Sequence, residues 1–395
     1  MIEQRYYLKA KQVFTEHGIK NNYYVLVDKG VIKDISIEAR VNIPVLDLGD
    51  NQLMPGFIDM HIHGREGCDV MDGKLSSLTT IARSLAKHGV VGFLATTVTA
   101  KWLDSIQAFT TIGEAANTCL GGAKVLGAYN EGLFFTDEHK GAHNEKFFLR
   151  LTKERVDAIY AATQGTLKVV AMAPEFEDSK EMISYLASLG VKVMLGHTNA
   201  NFQQTVDALE AGACGGVHIF NGMSGIHHRD PGCAGAVLMD PNALAEVIAD
   251  GVHLHPSIMQ MVYKLKGPEK IVLISDCINA GGFDDGTYRL GELDVYVKDG
   301  VARTASGSLA GSTLTLETAI ENLVALAHVP LLEAVHMASL VPATFLGLGD
   351  KLGSIAVSKQ ASFAILNDKH QVQATIIDGK VVFEEEGFHS LATLR

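Results

Sequence analysis

The chain has 395 residues, of which 47% are hydrophobic and 20% are charged. This composition is typical of a folded protein with one large domain or two domains, and it excludes a long disordered chain. The formal net charge of -12 at pH 7 argues against nucleic acid as a partner, because binding to phosphate backbones requires clustered Lys and Arg.

The five cysteines are scattered and include no Cys-x-x-Cys pair, so the sequence indicates neither a disulfide framework nor a cysteine zinc site. Charged side chains interrupt the start of the chain, so no secretory signal is expected there. No run approaches the roughly 18 apolar residues that a membrane span requires. We therefore expect a cytoplasmic location and no membrane partner.

The first segment, residues 1–55, alternates short β-type runs with turn signals such as Asp28-Lys-Gly30, a pattern that is typical of hairpins. The last segment, residues 353–395, has the same texture, with an Asp378-Gly379 turn between two β-type runs. We therefore predict that the two ends of the chain together form one small β-sandwich domain.

In residues 56–352 the sequence pattern changes to continuous apolar runs separated by helix-like segments. Eight such runs can be counted. Continuous hydrophobicity is typical of parallel strands that are covered on both faces. Eight such strands with intervening helices predict a closed, TIM-like (β/α)8 barrel of the α/β class. The runs end near residues 61–63, 96–99, 130–131, 174–175, 197–198, 218–221, 250–253 and 275–276.

Residues with metal-binding chemistry lie at the ends of these runs. His61 and His63 lie two positions apart, so on a strand both side chains point the same way and can bind one cation. Glu131, His197 and His218 end three other runs, and imidazoles with a carboxylate form a common catalytic zinc set. Because the carboxyl ends of barrel strands converge on one face, the sequence predicts one metal site there.

Asp276 and His253 also follow apolar runs on the same predicted face. Beside a cation and its water, Asp276 is suited to act as a general base that later returns the proton to the leaving group. His253 is suited to polarise a carbonyl group or to bind substrate. The structural alternatives are that Asp276 caps the next helix and that His253 is a capped loop histidine.

Several motifs resemble those of a known family. The segment Pro55-Gly-Phe-Ile-Asp-Met-His-Ile-His-Gly64 is similar to the opening of the amidohydrolase superfamily. Nearly the whole chain resembles its N-acetylglucosamine-6-phosphate deacetylase branch, through Asn130-Glu-Gly-Leu-Phe134, Lys140-Gly-Ala-His-Asn144, Gly196-His-Thr198, Val217-His-Ile-Phe-Asn-Gly-Met223, His228-Arg-Asp-Pro-Gly232 and Leu309-Ala-Gly-Ser-Thr-Leu314. The resemblance implies hydrolysis of N-acetyl-D-glucosamine 6-phosphate to D-glucosamine 6-phosphate and acetate, in amino-sugar catabolism.

The resemblance also implies residue roles and a homodimer. Glu131, His197 and His218 would bind the principal divalent metal, expected to be Zn2+ with Fe2+ as the alternative, and Asp276 would be the catalytic acid and base beside it. His61 and His63 would form a second site with Glu131 as bridge, so that each subunit holds one or two ions, and Asp276 would also be a metal ligand. The positions that would bind the amino-sugar phosphate are His143, near the phosphate in its own subunit or across the dimer, and Gly132, Asn221, Gly222, Arg229, His253 and Leu309.

Three alternatives remain open at this point. The substrate could be the galactosamine isomer, which differs at one hydroxyl group. Binuclear relatives such as dihydroorotase and hydantoinase share the paired histidines, but they use a carboxylated lysine at the end of the fourth strand, where this chain has Met172-Ala-Pro-Glu175. A barrel that has lost its metal and serves as a binding protein is the third alternative, although every candidate ligand is present.

Overall fold

The structure is a computed structural model, and it describes residues 5–291, 293–388 and 391. The N-terminal segment forms strands β1 (Arg5–Thr15), β2 (Gly18–Asp28), β3 (Val31–Ser36), β4 (Val45–Asp47) and β5 (Gln52–Pro55). Between β2 and β3, Lys29 and Gly30 have φ angles of 51° and 75°, the left-handed geometry that favours a tight hairpin turn. The hairpin expected at Asp28-Lys-Gly30 is therefore confirmed.

The central segment alternates strands and helices. Its elements are β6 (Phe57–Ile62), β7 (Gly64–Arg65), β8 (Cys68–Asp69), α1 (Leu75–Ala86), β9 (Val90–Thr96), α2 (Trp102–Ala116), β10 (Lys124–Asn130), α3 (Lys153–Ala162), β11 (Leu167–Met172), α4 (Ser179–Ser188), β12 (Lys192–Leu195), α5 (Phe202–Glu210), β13 (Gly215–Gly216), α6 (Gly232–Met239), β14 (Leu244–Val247), α7 (Pro256–Lys266) and β15 (Ile271–Leu273). Short 3-10 helices lie at Val70–Asp72, Glu145–Phe147 and Pro268–Lys270.

Eight strands of the described chain form one sheet in the order β6, β9, β10, β11, β12, β13, β14 and β15, and every neighbouring pair is parallel. At the seam between the first and last strands, the Asp276 N–H donates to the His61 carbonyl at 2.9 Å. Ile62 also forms a parallel bridge with Cys277 there, so the sheet is nearly closed. The predicted (β/α)8 barrel is confirmed.

The remaining elements follow the last barrel strand. They are β16 (Gly286–Leu290), β17 (Leu293–Lys298), β18 (Val301–Thr304), α8 (Leu316–Ala327), α9 (Leu331–Met337), α10 (Leu340–Phe345), β19 (Phe363–Leu366), β20 (Val372–Ile377) and β21 (Lys380–Glu384). Strands β16 to β18 form a small antiparallel sheet that packs Leu290 and Val295 against Val98 and Ile278. Because Val98 follows β9 and Ile278 follows β15, this small sheet lies over the carboxyl face of the barrel.

The two ends of the chain share one mixed sheet. Its order is β21, β20, β19, β5, β1, β2 and β3, and β4 pairs with β1. Its apolar face has a core of its own that includes Leu8, Val25, Phe363 and Ile376. The predicted association of the N-terminal and C-terminal segments is thus confirmed, whereas the division of the chain into domains at residues 55/56 and 352/353 stays a prediction.

The main apolar core runs through the barrel wall and includes Phe93, Val170 and Leu195, all fully or almost fully buried. All five cysteines are free. In the part of the chain that the structure describes, no helix combines the length and the apolar character needed to cross a membrane.

Candidate active site

The predicted metal ligands lie together at the carboxyl ends of the barrel strands. Each is placed by a strand: His61 lies in β6, His63 just after it, Glu131 after β10, His197 after β12, His218 after β13 and Asp276 after β15. All six side chains are buried. A cavity of about 230 Å³ opens beside them and is lined by all of them except His61.

The carboxylate of Glu131 lies at the centre of this group. Its Oε1 atom lies 3.2 Å from His197 Nε2 and 3.0 Å from His218 Nε2. Its Oε2 atom lies 3.1 Å from His63 Nε2 and 3.4 Å from His61 Nε2. The two oxygens therefore face two different histidine pairs, which is the arrangement expected of a carboxylate that bridges two cations.

Asp276 lies on the side of the His61 and His63 pair. Its Oδ1 atom lies 3.1 Å from His63 Nε2 and 3.6 Å from His61 Nε2. Its main-chain carbonyl accepts the Ser312 N–H at 2.8 Å. The next described element along the chain is strand β16, so Asp276 does not cap a helix.

Three of the site residues have a left-handed backbone. The φ angles of His197, His218 and Asp276 are 48°, 22° and 49°. Side chains with a Cβ atom rarely adopt this region, and such strain is concentrated at functional sites, where the surrounding structure maintains it. The left-handed geometry occurs where each chain segment leaves its barrel strand.

Main-chain carbonyl groups orient the first histidine pair. His197 Nδ1 lies 3.1 Å from the His139 carbonyl oxygen, and His218 Nδ1 lies 3.0 Å from that of Asn221. A carbonyl oxygen can only accept a hydrogen bond, so each Nδ1 carries a proton. In a neutral imidazole the lone pair is then on Nε2, which faces Glu131.

The second histidine pair is oriented in the same way. His63 Nδ1 lies 3.3 Å from the Thr96 carbonyl oxygen, and His61 Nδ1 lies 2.9 Å from Glu246 Oε2. Both partners are acceptors, so both rings turn Nε2 toward the carboxylates of the site. Four imidazole nitrogens of the same kind thus converge on Glu131.

These donors fit a divalent metal ion. Lone pairs and carboxylate oxygens repel one another at such distances unless a proton or a cation lies among them. The buried Nε2 atom of His61 has no hydrogen-bond partner among the described residues. Imidazole nitrogen and carboxylate oxygen are ligands that Zn2+ and related ions accept. Two groups of potential ligands each lie within 4.8 Å: His61, His63 and Asp276, and Glu131, His143 and His197.

The electrostatics of the site favour positive charge. Burial alone would lower the pKa of His63, but its hydrogen bonds with Asp276 and Glu131 raise that pKa to about 10. Burial alone would raise the pKa of Glu131, but the surrounding imidazoles, with His61 foremost, hold it well below its usual range. The carboxylates therefore attract positive charge into the space between the rings, and a divalent cation would supply it.

His143 presents a hydrogen-bond donor to the same space. The Thr99 main-chain N–H donates to His143 Nδ1 at 3.4 Å, so that nitrogen is an acceptor, and the Thr99 hydroxyl lies 2.8 Å from the same atom. His143 Nε2 therefore carries the ring proton, and it lies 3.7 Å from Glu131 Oε2. Burial, reinforced by the neighbouring histidines, holds the pKa of His143 well below its usual value. The ring lies in the wall of the cavity of the same chain.

Four more of the predicted substrate positions line the cavity: Asn221, Gly222, His253 and Leu309. His253 is held by Asp250, whose carboxylate oxygens lie 2.7 Å from the ring Nδ1 and 2.8 Å from the main-chain N–H. These contacts fix the orientation of the His253 ring through Nδ1. The other polar atom of the ring is Nε2.

Gly132 and Arg229 do not line the cavity. Gly132 has a φ angle of 106°, and a Cβ atom there would lie 2.4 Å from the Thr99 main-chain nitrogen, so no larger residue fits. Arg229 is exposed, and its guanidinium group lies 2.5 Å from His228 Nε2. No Lys or Arg of the described chain lines the cavity. Arg229 therefore lies outside the cavity of this chain.

Sequence patterns do not single out Glu246, which lies in β14 and is fully buried. Its Oε2 atom also accepts the His218 main-chain N–H at 3.3 Å, and its Oε1 atom accepts the Tyr129 hydroxyl at 3.1 Å. A carboxylate inside the apolar run Leu244-Ala-Glu-Val247 is a signal that could have identified it, because buried acids nearly always have polar partners.

The Amidohydrolase family model matches residues 52–382. An N-acetylglucosamine-6-phosphate deacetylase of Vibrio furnissii is 41% identical over 378 residues, covering 95% of this chain and 94% of that protein. An N-acetylgalactosamine-6-phosphate deacetylase of Escherichia coli O157:H7 is 42% identical over 374 residues, covering 95% and 98%. A Mycobacterium smegmatis N-acetyl-D-glucosamine-6-phosphate deacetylase variant, solved in complex with N-acetyl-D-glucosamine-6-phosphate, has a TM-score of 0.90 and 30% identity, covering 96% of this chain and 99% of that one. The chain therefore belongs to the amidohydrolase family.

Proposed function

We propose that this protein hydrolyses the acetamide group of N-acetyl-D-glucosamine 6-phosphate, releasing acetate and D-glucosamine 6-phosphate, in amino-sugar catabolism. The observation that carries the proposal is the convergence of four imidazole Nε2 atoms on Glu131, beside a cavity that Asp276 also lines. Relatives named for this activity match the chain over nearly its whole length. A metal-free binding barrel is disfavoured because every predicted ligand is in place.

The proposed resident ion is Zn2+, and Fe2+ is the alternative because it accepts the same donors. Glu131, His197 and His218 would hold the principal ion. His61 and His63 with Asp276 would hold a second ion, and Glu131 would bridge the two. A divalent cation bound there supplies electrophilic assistance to the carbonyl group and lowers the pKa of water.

Asp276 is the proposed proton carrier. It lines the cavity, and its Oδ1 atom lies beside the His63 ring at 3.1 Å. An ionised carboxylate in this position can accept a proton from the attacking water. It can then return that proton to the amide nitrogen as the carbon–nitrogen bond breaks, so that a neutral amine leaves.

His143 and His253 would orient the substrate. The Nε2–H group of His143 is a suitable donor to a carbonyl or hydroxyl oxygen, because Thr99 fixes the ring from behind. His253 is fixed by Asp250 and can use Nε2 toward a sugar hydroxyl or the acetyl carbonyl. Asn221, Gly222 and Leu309 would form the remaining walls around the sugar.

The phosphate group requires a positive partner that the cavity of one described chain does not contain. Arg229 suits this role because its planar guanidinium group donates two parallel hydrogen bonds to a phosphate. We therefore propose a homodimer in which Arg229 of one copy reaches the sugar phosphate bound to the other. A cytoplasmic location is part of the same proposal, since a charged sugar phosphate does not cross a membrane unaided and stays in the cytoplasm.

The proposal is tested by measuring kcat/KM on protein of known metal content. The substrates are the 6-phosphates of N-acetylglucosamine and N-acetylgalactosamine, together with unphosphorylated N-acetylglucosamine. We expect acetate release from at least one phosphate ester and a much lower kcat/KM without the phosphate. Equal kcat/KM with and without the phosphate would contradict the phosphate site, and no acetate from any of them would contradict the function.

N-Acetylgalactosamine 6-phosphate is a second candidate substrate. The observation that raises it is an Escherichia coli relative named for that sugar, whose 42% identity equals in practice the 41% of the Vibrio furnissii relative. The two sugars differ at one hydroxyl, so a buried hydrogen bond to that group would decide between them. The same kcat/KM comparison distinguishes them.

A further inference from the structure

Glu246 is a fully buried carboxylate to which the proposed reaction assigns no role. Its Oε2 atom lies 2.9 Å from His61 Nδ1, and its Oε1 atom accepts the Tyr129 hydroxyl. Removing a carboxylate from water costs several kcal/mol, and hydrogen bonds must offset that cost. A carboxylate held in this position therefore requires a specific reason.

We propose that Glu246 is a positioning residue that makes the His61 side of the site competent for a second divalent cation. The inference rests on the proposed two-ion capacity of the site. Because Glu246 is an acceptor at Nδ1, it holds the His61 ring with Nε2 facing Glu131 at 3.4 Å and Asp276 at 3.6 Å. This is the carboxylate–imidazole–metal arrangement that orients a ligand and raises its basicity.

Glu246 also distinguishes the two halves of the site. The rings of His197 and His218 are held by main-chain carbonyl groups, which are neutral acceptors. His61 is held by a full carboxylate instead, which adds a negative charge on the side where a second cation would bind. Two divalent cations so close together repel each other, and an added buried negative charge reduces that repulsion. The Glu246 carboxylate therefore lies on the side of the site where a second ion would bind.

Tyr129 holds this carboxylate in place. Its hydroxyl donates to Glu246 Oε1, and its ring lies against the His61 ring with 4.7 Å between the centroids. A carboxylate oxygen can only accept, so the Tyr129 hydroxyl is the donor in this contact. Tyr129→Phe removes one hydrogen bond but leaves the charge of Glu246, which makes it a matched control for Glu246→Gln.

The experiment measures metal binding, and it needs no turnover. Wild type, Glu246→Gln and Tyr129→Phe are dialysed against Zn2+ buffered over a range of free concentrations, and bound metal per chain is measured by mass spectrometry. We expect two ions in the wild type. In Glu246→Gln the first ion is retained and the second binds 10–100-fold more weakly, the usual effect of losing such a partner. In Tyr129→Phe the affinity for the second ion is expected to fall less than tenfold.

Several outcomes would overturn the proposal. Two ions bound with unchanged affinity in Glu246→Gln would remove the assigned role, and so would a single ion of equal affinity in both proteins. An equal loss of affinity for both ions would show that the substitution acts through the His218 main chain, which also contacts Glu246. If Glu246→Gln does not fold, Glu246→Asp tests the positioning alone, because it keeps the charge and shortens the reach toward His61. The affinity for the second ion is again expected to fall, and an unchanged affinity would overturn the proposal.

A double-mutant cycle separates positioning from general structural damage. In a His61→Gln background, Glu246→Gln is expected to leave the affinity of the remaining ion unchanged, whereas a structural role would weaken it in both backgrounds. Acetate release from the wild type is measured on separate samples. A wild type that binds two ions and releases no acetate contradicts the proposed function, whereas the metal titrations alone decide the role of Glu246.

Discussion

Glu131 belongs to both halves of the candidate site, since its two carboxylate oxygens face different histidine pairs. His61 and His63 contact one of those oxygens and Asp276. A single zinc ion with an open position is sufficient for hydrolysis in many enzymes, so the half that contains His197 and His218 can suffice for the chemistry. The two halves should therefore respond differently to substitution.

Asp276→Asn removes the acceptor for the water proton and keeps the size of the side chain. We expect kcat for deacetylation to fall on the order of 10²–10⁴-fold, because positioned acid–base groups contribute that much. Acetate release at saturating substrate, with metal content measured on the same sample, checks this. Asp284→Asn, at an exposed position, is the control. Wild-type kcat in metal-loaded Asp276→Asn would show that the assignment is wrong.

Replacing both His61 and His63 with Ala should remove the second ion and leave measurable deacetylation. The reason is that Glu131, His197 and His218 remain to hold the principal ion. Bound metal per chain is expected to fall from two ions to one, with the fold unchanged by circular dichroism. Complete loss of turnover in a folded variant with one ion would make the pair essential to the chemistry.

Strands β6 and β15 meet at the barrel seam, where a buried side chain connects them. Asp59 is buried in β6, and its Oδ1 atom accepts the His61 N–H at 3.3 Å and the Ser275 N–H at 3.2 Å. The second of these bonds crosses the seam. Asp59 therefore sets the distance between the strand that places His61 and the strand that leads to Asp276.

Asp59→Ala should destabilise the protein, because it leaves two buried main-chain N–H groups without an acceptor. We expect the free energy of unfolding in urea to fall by about 2–6 kcal/mol, since each of the two unsatisfied buried groups usually costs about 1–3 kcal/mol. Asp59→Asn should cost less, since its amide oxygen can still accept. Equal stability of Asp59→Ala and the wild type would show that the seam does not depend on this contact.

In the molecule as a whole, the candidate ligands come from five barrel strands, β6, β10, β12, β13 and β15, and converge on a site that attracts positive charge. Metal removal should therefore lower the stability of the entire fold. An ion that binds the folded chain at 1,000 times its Kd contributes about 4 kcal/mol to stability.

The melting temperature measured with added Zn2+ and with a chelator tests this prediction. We expect the chelator to lower Tm in the wild type and to have little effect on Glu131→Gln, which lacks the central ligand of both halves. A wild-type Tm that does not respond to chelation would contradict a resident metal ion. Readdition of Zn2+ should restore the original Tm, which separates metal loss from irreversible damage.

Local sequence was enough to predict the apolar runs of the barrel, the hairpin turns at Lys29-Gly30 and Asp378-Gly379, and the kinds of ligand at the strand ends. These features depend on hydrophobic period and on local turn chemistry, which neighbouring residues encode. The convergence of the predicted ligands followed from the fold class, because parallel barrel strands all end on one face.

Other features became visible only once the chain was folded: which oxygen of Glu131 faces which histidine, and the position of Glu246 behind His61. The cavity of this chain is likewise lined by His143 and not by Arg229. His61 and Glu246 are separated by 185 positions in the chain. Their contact exists because closing the barrel brings β6 and β14 around the same interior. No local pattern encodes that closure or the rotation of a side chain within it.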